Sequence, residues 1–400
     1  DATGKGRSKL YASYGRFYES LPLSINDRAF AGRGAIVGPN AANCPRVPLT
    51  PGGRPLPVPQ SAPGAPCSVN SPQFLIAGDP YLVEPGVKGQ YLDEVSAGLM
   101  YDVGLDFVLG IGYVYRTLGS VVEDVGVDGG SAAIIGNPGA PASEAQVQKY
   151  EQRIAELKRD SSPAAQAELV NVQRQLAGYR AISSTTSRAT RNYHALVLTA
   201  QKRLSNRFSV LASYTFSRTL GNYPGPYDAH TRDFAPNISL AFDSPDLATN
   251  RNGPLPTDRP HNVKLLGTYI QPLGQSGSLT LSLTGTMFSG RPINVLGGHP
   301  LYGGSQVFIL PRGSGGRTPI VTQLDLHVGY EHKFGKLVAL LVFADVINLL
   351  NQQQVTSVDD DYTYSVVGPI RNGKAADLAH LRAEEGQPLV LNSNYGQPTA

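Results

Sequence analysis

The chain has 400 residues, of which 44 are Gly and 31 Pro, with 16% charged side chains and a net charge of +3. So small a charge, with no basic stripe interleaved with aromatics, argues against a nucleic-acid partner. No stretch approaches the eighteen or so apolar residues that a membrane-spanning helix needs.

In chain order, nine segments alternate apolar and polar side chains, near 7–19, 90–102, 104–117, 190–203, 206–219, 260–272, 277–289, 319–334 and 336–349. Alternation with period two is the signature of a strand with unlike faces. In the third segment Leu105, Phe107, Leu109, Ile111, Tyr113 and Tyr115 oppose Asp106, Gly110, Gly112 and Arg116. The fifth sets Phe208, Val210, Ala212, Tyr214 and Phe216 against Ser209, Ser213, Thr215 and Ser217. The seventh is clearest, with Leu279, Leu281, Leu283 and Met287 opposite Ser278, Thr280, Ser282, Thr284 and Thr286. In the eighth, Leu324, Leu326, Val328, Tyr330 and Phe334 oppose Gln323, Asp325, His327 and Glu331.

Short breaks join these segments in pairs: Asp102–Val103–Gly104, Ser205–Asn206, Gly274–Gln275–Ser276–Gly277 and Gly335. Long connections separate the pairs, roughly 20–88, 117–189, 220–258 and 290–318. Short turns at one end and long loops at the other mark a transmembrane β-barrel. Segments of about ten to fourteen residues cross the hydrocarbon when tilted and exceed the usual soluble strand. A soluble sandwich explains the alternation but not this length or the one-sided loops. Mean hydropathy of −0.17 fits, because only every second residue meets lipid, and 20 Tyr with no Trp fit tyrosine girdles. The expected fold is therefore all-β, a large antiparallel transmembrane barrel. Nine strands cannot close a bacterial barrel, which takes an even number. The chain, opening on Asp1 and ending on Ala400, is expected to be a piece of a longer secreted protein, with Asn351–Ala400 as a last external loop before a closing strand.

The loops differ in character. Residues 20–88 are Pro/Gly-rich and hold the only two cysteines, Cys44 and Cys67, which suggests one disulfide in an oxidising compartment, with two free thiols as the alternative. Within 117–189, residues 143–180 carry Ser143-Glu144-Ala145-Gln146, a capping-box match, and Ser162-Pro163, an N-cap with Pro at the first helical position. Val147, Tyr150, Ile154 and Leu157 recur at helical spacing, as do Leu169, Val172 and Leu176. A helical hairpin packing on itself is expected, with a partner-binding coil as the alternative. Residues 220–258 and 290–318 are dominated by turn formers, and Gly313-Ser314-Gly315-Gly316 reads as a flexible turn. Asp359-Asp360-Asp361 reads as a solvated acidic run, lacking the spaced ligands of a calcium loop.

No constellation supports catalysis. The seven histidines show no metal spacing, and neither a nucleophile elbow nor a phosphate-cradling loop appears. No cofactor is expected. Asp325, His327 and Glu331, with Asp345 on the next strand, are candidates to line a transport path, or simply to hydrate a lumen or pair with a plug.

Words in the loops then become recognisable. They include Tyr115-Arg116-Thr117-Leu118-Gly119 with Glu123-Asp124-Val125 and Asn137-Pro138-Gly139, then Gly221-Asn222-Tyr223-Pro224-Gly225. Further on come Gly253-Pro254-Leu255-Pro256, Asp258-Arg259-Pro260-His261-Asn262 and His299-Pro300-Leu301-Tyr302-Gly303. The series ends with Ile309-Leu310-Pro311-Arg312-Gly313, Gly315-Gly316-Arg317-Thr318-Pro319, Asp345-Val346-Ile347-Asn348-Leu349 and Asn394-Tyr395-Gly396-Gln397-Pro398-Thr399. In this order they resemble the Oar-like branch of TonB-dependent outer-membrane receptors, and the likeness fades in 40–70 and 143–180.

That resemblance implies a barrel of about twenty-two strands in the bacterial outer membrane, with an N-terminal plug and a segment that contacts the TonB complex. On this plan the chain is the C-terminal portion of the barrel, and it lacks the plug, the TonB box and the closing strand. The partners implied are outer-membrane lipid, TonB through the missing part, and a substrate that no residue identifies. The leading function is gated transport. The alternative is a surface-structural or adhesion barrel that works through its loops. An enzyme is disfavoured for want of a nucleophile–base pair.

Overall fold

A computed structural model describes residues 4, 6–19, 34–37, 74–77, 82–84, 86–126, 133–140, 143–185, 187–225 and 240–399. Nine long strands form an antiparallel meander: β1 (Ser8–Tyr18), β2 (Tyr91–Gly104), β3 (Phe107–Ser120), β4 (Arg191–Ser205), β5 (Phe208–Gly221), β6 (His261–Leu273), β7 (Gly277–Phe288), β8 (Val321–Phe334) and β9 (Val338–Val346). Each pairs with its neighbours in sequence, so the spatial order is the chain order. The sheet is open, with β1 and β9 as its edges. All nine lie within three residues of the expected segments. Alternation over a dozen residues locates a strand well, because a slip by one residue would reverse every side chain.

The turns explain the small displacements. Between β2 and β3 the chain reverses at Leu105 and Asp106, both with positive φ (55° and 64°), not at the expected Asp102–Val103–Gly104. The Asp102 carboxylate instead accepts the Gly104 N–H at 2.8 Å, and the ladder continues to the Gly104–Phe107 pair. Leu105 therefore leaves the apolar face and stands 88% exposed in the turn. Asn206 and Arg207 (φ 49° and 75°) make the same kind of turn between β4 and β5. Two successive left-handed residues match the twist of the flanking strands.

Two helices occupy the connection between β3 and β4, α1 (Glu144–Leu157) and α2 (Pro163–Thr185). They pack on each other through Leu157, Ala165 and Val172, with Tyr150, Ile154 and Leu169 alongside. Arg153 bridges them to Glu168 at 2.7 Å. Ser162 caps α2, its hydroxyl accepting the Ala165 N–H at 3.2 Å. Ser143 precedes α1 but makes no side-chain cap bond, so the capping box read there does not form. Among the described residues no helix is long and apolar enough to cross a membrane.

The long connections also contain short strands. Leu296–His299 pairs with Gly303–Phe308 and runs parallel to Asp361–Val366. Glu123–Gly126 pairs with Ala133–Gly136, which runs parallel to Leu82–Val83. Gly34–Val37 pairs with Phe74–Ala77. The buried apolar clusters lie in these connections and not in the sheet. One gathers Val121, Val125, Ile134, Ala189, Tyr223, Ala241 and Phe242. Another gathers Val295, Ile309, Leu310, Val367 and Leu381.

Candidate functional site

The register divides the sheet into two unlike faces. On one, Gly267, Leu283, Leu326 and Val346 form a rung across β6 to β9, followed by Tyr269, Leu281, Val328 and Ala344. Across β1 to β4 the same face carries Leu10, Leu99, Ile111 and Leu198. These side chains face outward uncovered; Leu10, Ile111 and Leu265 are 71%, 48% and 40% exposed. Apolar area this continuous is foreign to a surface in water, whereas each such group gains on the order of 1 kcal/mol in hydrocarbon.

Aromatic rows bound this face. Phe107 and Tyr115 on β3, Phe208 and Phe216 on β5, and Tyr269 and His261 on β6 are in each case eight residues apart. At roughly 3.3 Å per residue that is about 26 Å along the strand, the scale of the apolar band of an outer-membrane barrel. Histidine hydrogen-bonded to tyrosine fills the place of the absent Trp. The Tyr113 hydroxyl lies 2.7 Å from His194 Nδ1, and Tyr214 lies 2.8 Å from His261 Nδ1. At the short-turn end the Lys202 ammonium folds back to donate to the Ser205 carbonyl at 2.9 Å and hydroxyl at 2.6 Å, 4.1 Å from the Phe208 ring centre. A cation on an otherwise apolar face thereby reaches polar partners.

The opposite face is polar. One rung runs Thr268–Ser282–His327–Asp345 and the next Leu266–Thr284–Asp325. Thr268 and Ser282 share a hydrogen bond of 2.9 Å, and His327 Nδ1 lies 2.7 Å from Asp345 Oδ1. Asp325 accepts the Asn348 N–H at 2.8 Å and the Gln323 amide at 3.0 Å. Three of the four singled-out residues, Asp325, His327 and Asp345, thus meet in one patch. Glu331 shares the face but stands further along β8, paired with Lys333 at 3.2 Å. On β1 to β3 the Tyr11 ring lies over Gly98 and Gly112; a Cβ at Gly98 would collide with its hydroxyl. The face is not uniformly polar, since Leu211 and Leu266 pair across β5 and β6 and Leu341 and Phe343 project from β9.

At the long-connection end, segments fold over the polar side. Ser217 and Thr219 on β5 are buried, whereas their neighbours Phe216 and Leu220 on the apolar side are exposed. Asp258 is the hub of this rim. Fully buried, it accepts the Thr219 N–H at 2.7 Å, bonds the Arg317 guanidinium and lies 3.5 Å from Arg218. The Asn250 amide donates to the carbonyls of Phe308, Ile309 and Ile370 at 2.9 to 3.1 Å. Arg251 and Arg312 flank the Phe308 ring at 5.2 and 4.4 Å. None of these is among the site residues expected from the sequence, although the words Asp258-Arg259-Pro260-His261-Asn262 and Gly315-Gly316-Arg317-Thr318-Pro319 contain the Asp258 and Arg317 pair.

Two expectations for the loops need correction. Asp360 is not solvated: it is half-buried, accepts the Asn294 N–H at 3.2 Å and amide at 2.8 Å, and burial pushes its carboxyl up to about 6. Gly313-Ser314-Gly315-Gly316 is not a loose turn. The Gly313 N–H donates to the Asn294 side chain, the Gly315 N–H donates to the Ile293 carbonyl, and a Cβ at Gly315 would press on Ile293. Cys44 and Cys67 lie outside the described residues. Among the described residues no group of three or more His, Cys, Asp or Glu side chains is arranged to hold a metal ion.

Residues 3–307 match the family model described as an outer membrane beta barrel domain. The TonB-dependent transporter Oar of Myxococcus xanthus is 29% identical over 401 residues, covering 95% of this chain and 33% of the relative. The chain thus spans about a third of the length of that relative. Among solved structures, the outer membrane transporter YddB from Escherichia coli aligns with a TM-score of 0.47 at 12% identity, over 92% of this chain and 37% of that one. The ferric-catecholate import receptor Fiu from E. coli K12 aligns at 0.34 and 11%, over 68% and 25%. A membrane-width apolar face bounded by aromatic rows and backed by a polar face is what such a domain requires, and the chain belongs to the outer membrane beta barrel domain family of the bacterial outer membrane.

Proposed function

We propose that this chain forms part of the wall and the outer rim of a TonB-dependent transporter. The polar face lines the lumen, the long connections face the cell exterior, and the four short turns face the periplasm. Asp325, His327 and Asp345 contribute a hydrogen-bonded patch along the path, with Glu331 nearer the periplasmic end. Energy for transport comes from TonB through a plug and contact segment outside this chain. The observation that carries this reading is the packing of the rim over the polar side, with Ser217 and Thr219 covered and Phe216 and Leu220 open. A barrel serving only to display loops has no need to roof its polar interior, whereas a gated path does. The likeness to a TonB-dependent transporter over nearly the whole chain supports the same reading.

The test uses the full-length protein in cells with and without TonB. A single cysteine replacing Thr284, on the polar face, is labelled with a membrane-impermeant thiol reagent, and the purified periplasmic part of TonB is used to capture the solubilised protein. Transport requires capture by TonB and a labelling rate that rises when TonB is present. A barrel that TonB does not capture, and whose labelling ignores it, is an adhesion or display barrel.

A further inference from the structure

At the foot of the helical hairpin lies a cleft of about 630 Å³. It is walled by the segment before β2, the end of β3, the Asn137-Pro138-Gly139 turn, the first turn of α1 and Arg188 ahead of β4. That volume is typical of small-molecule sites. The transport path along the sheet makes no use of it.

The charges in the cleft are ordered. Glu84, only 7% exposed, lines it. Its Oε2 accepts the Asn137 N–H at 2.8 Å. Among the described residues no donor reaches Oε1. Burial raises the Glu84 carboxyl above its ordinary range, against the pull of the Asn137 N–H. Asn137 offers a ligand little, because its side chain is committed. The amide donates to the Lys88 carbonyl at 2.9 Å and the Val121 carbonyl at 2.6 Å, and its oxygen accepts the Lys88 N–H at 2.7 Å. Positive charge lies at the rim instead. Lys88 and Arg188 are exposed there, and Arg188 spends one N–H on the Gly119 carbonyl at 2.9 Å. The first turn of α1 adds the positive end of a helix without a side-chain cap. Tyr91 supplies an aromatic wall.

A buried carboxylate with one open oxygen asks for a cationic donor, and a cationic rim asks for an anion at a distance from it. We infer that the cleft binds a short peptide by its amino terminus, the ammonium on Glu84 and the peptide carbonyls or terminal carboxylate toward Lys88, Arg188 and the start of α1. A simple anion would have no use for Glu84, and a neutral sugar none for the separation of charge. Binding here does not depend on the transport reading: it persists in a barrel that carries nothing.

The experiment titrates trialanine, N-acetyl-trialanine and inorganic phosphate into the purified full-length protein in detergent micelles, by calorimetry. Trialanine is expected to bind saturably, and acetylation, which removes the ammonium, to weaken binding by about tenfold or more. Glu84→Gln is expected to weaken trialanine to a similar degree while leaving the strand circular dichroism unchanged. If that variant loses its strand signal, the acetylated probe decides alone, since it needs no substitution. Equal binding of the acetylated peptide, phosphate binding as well as trialanine, or no saturable trialanine binding would each overturn the proposal.

Discussion

Arg317, just ahead of β8, and Asp258, just ahead of β6, tie two connections together at the rim of the sheet. The guanidinium bonds the Asp258 carboxylate with one nitrogen and donates to the Asp258 carbonyl at 2.7 Å with another. Because Asp258 is fully buried, losing Arg317 leaves its carboxylate out of reach of water, with only the Thr219 N–H and the more distant Arg218 as partners. Arg317→Met is therefore expected to cost about 3–5 kcal/mol of local stability. Pairing it with Asp258→Asn should recover part of that loss. Hydrogen exchange of the Thr219 amide, which donates to Asp258, is the readout. Unchanged protection in the single variant would show that the ion pair does not hold the rim.

Asp360 gives the rim a pH dependence whose sign is fixed. Its carboxyl is raised by burial from 3.8 to about 6, so the folded state binds the proton more tightly than the unfolded chain. The folded rim therefore loses stability as pH rises from about 4 to about 6, by at most about 3 kcal/mol, and is level outside that window. The protection factors of residues 294–296, from which the base-catalysed rise of intrinsic exchange is divided out, should fall across that interval, and Asp360→Asn should remove the fall. Protection that stays level or rises with pH would contradict the burial argument.

The two serines that precede the helices should behave differently. Ser162→Ala removes the bond from the Ala165 N–H and should cost α2 about 1 kcal/mol. Ser143→Ala should cost much less, because its hydroxyl makes no cap bond and its own N–H donates to the Tyr179 hydroxyl at 2.8 Å in either variant. Amide exchange in the first turns of α1 and α2 measures both. Equal effects would mean that the Ser143 hydroxyl caps α1 in solution.

How much of this was legible depended on the kind of residue pattern. Leu281 and Ser282 state their faces outright, because alternation over a whole strand has one solution. The β2–β3 turn was misplaced because Leu105 continues the apolar rhythm, and nothing local announces that a leucine will adopt positive φ. β9 (Val338–Val346) hid its faces except at Asp345, being otherwise apolar on both. The rim was opaque for another reason. Val295, Ile309, Val367 and Leu381 have no common period and come from segments far apart in the chain. Asp258, Asn250 and Asp360 look like ordinary turn formers until the fold buries them. Glu84 was equally silent, since its meaning depends on Asn137, fifty-three residues away.

The central claim is that adjacent residues of β7 meet different media. Arginine at Leu281 or Leu283 should cost about 2–4 kcal/mol near the midplane, and far less at Ser282 or Thr284. A soluble sandwich would also punish Leu281→Arg, so stability alone does not decide. The direct measurement places single bimane-labelled cysteines at Leu281, Ser282 and Leu283 in the reconstituted full-length protein and adds spin labels carried on lipid tails. Fluorescence at Leu281 and Leu283 should be quenched and that at Ser282 should not; equal absence of quenching at all three would mean that this sheet does not face a membrane.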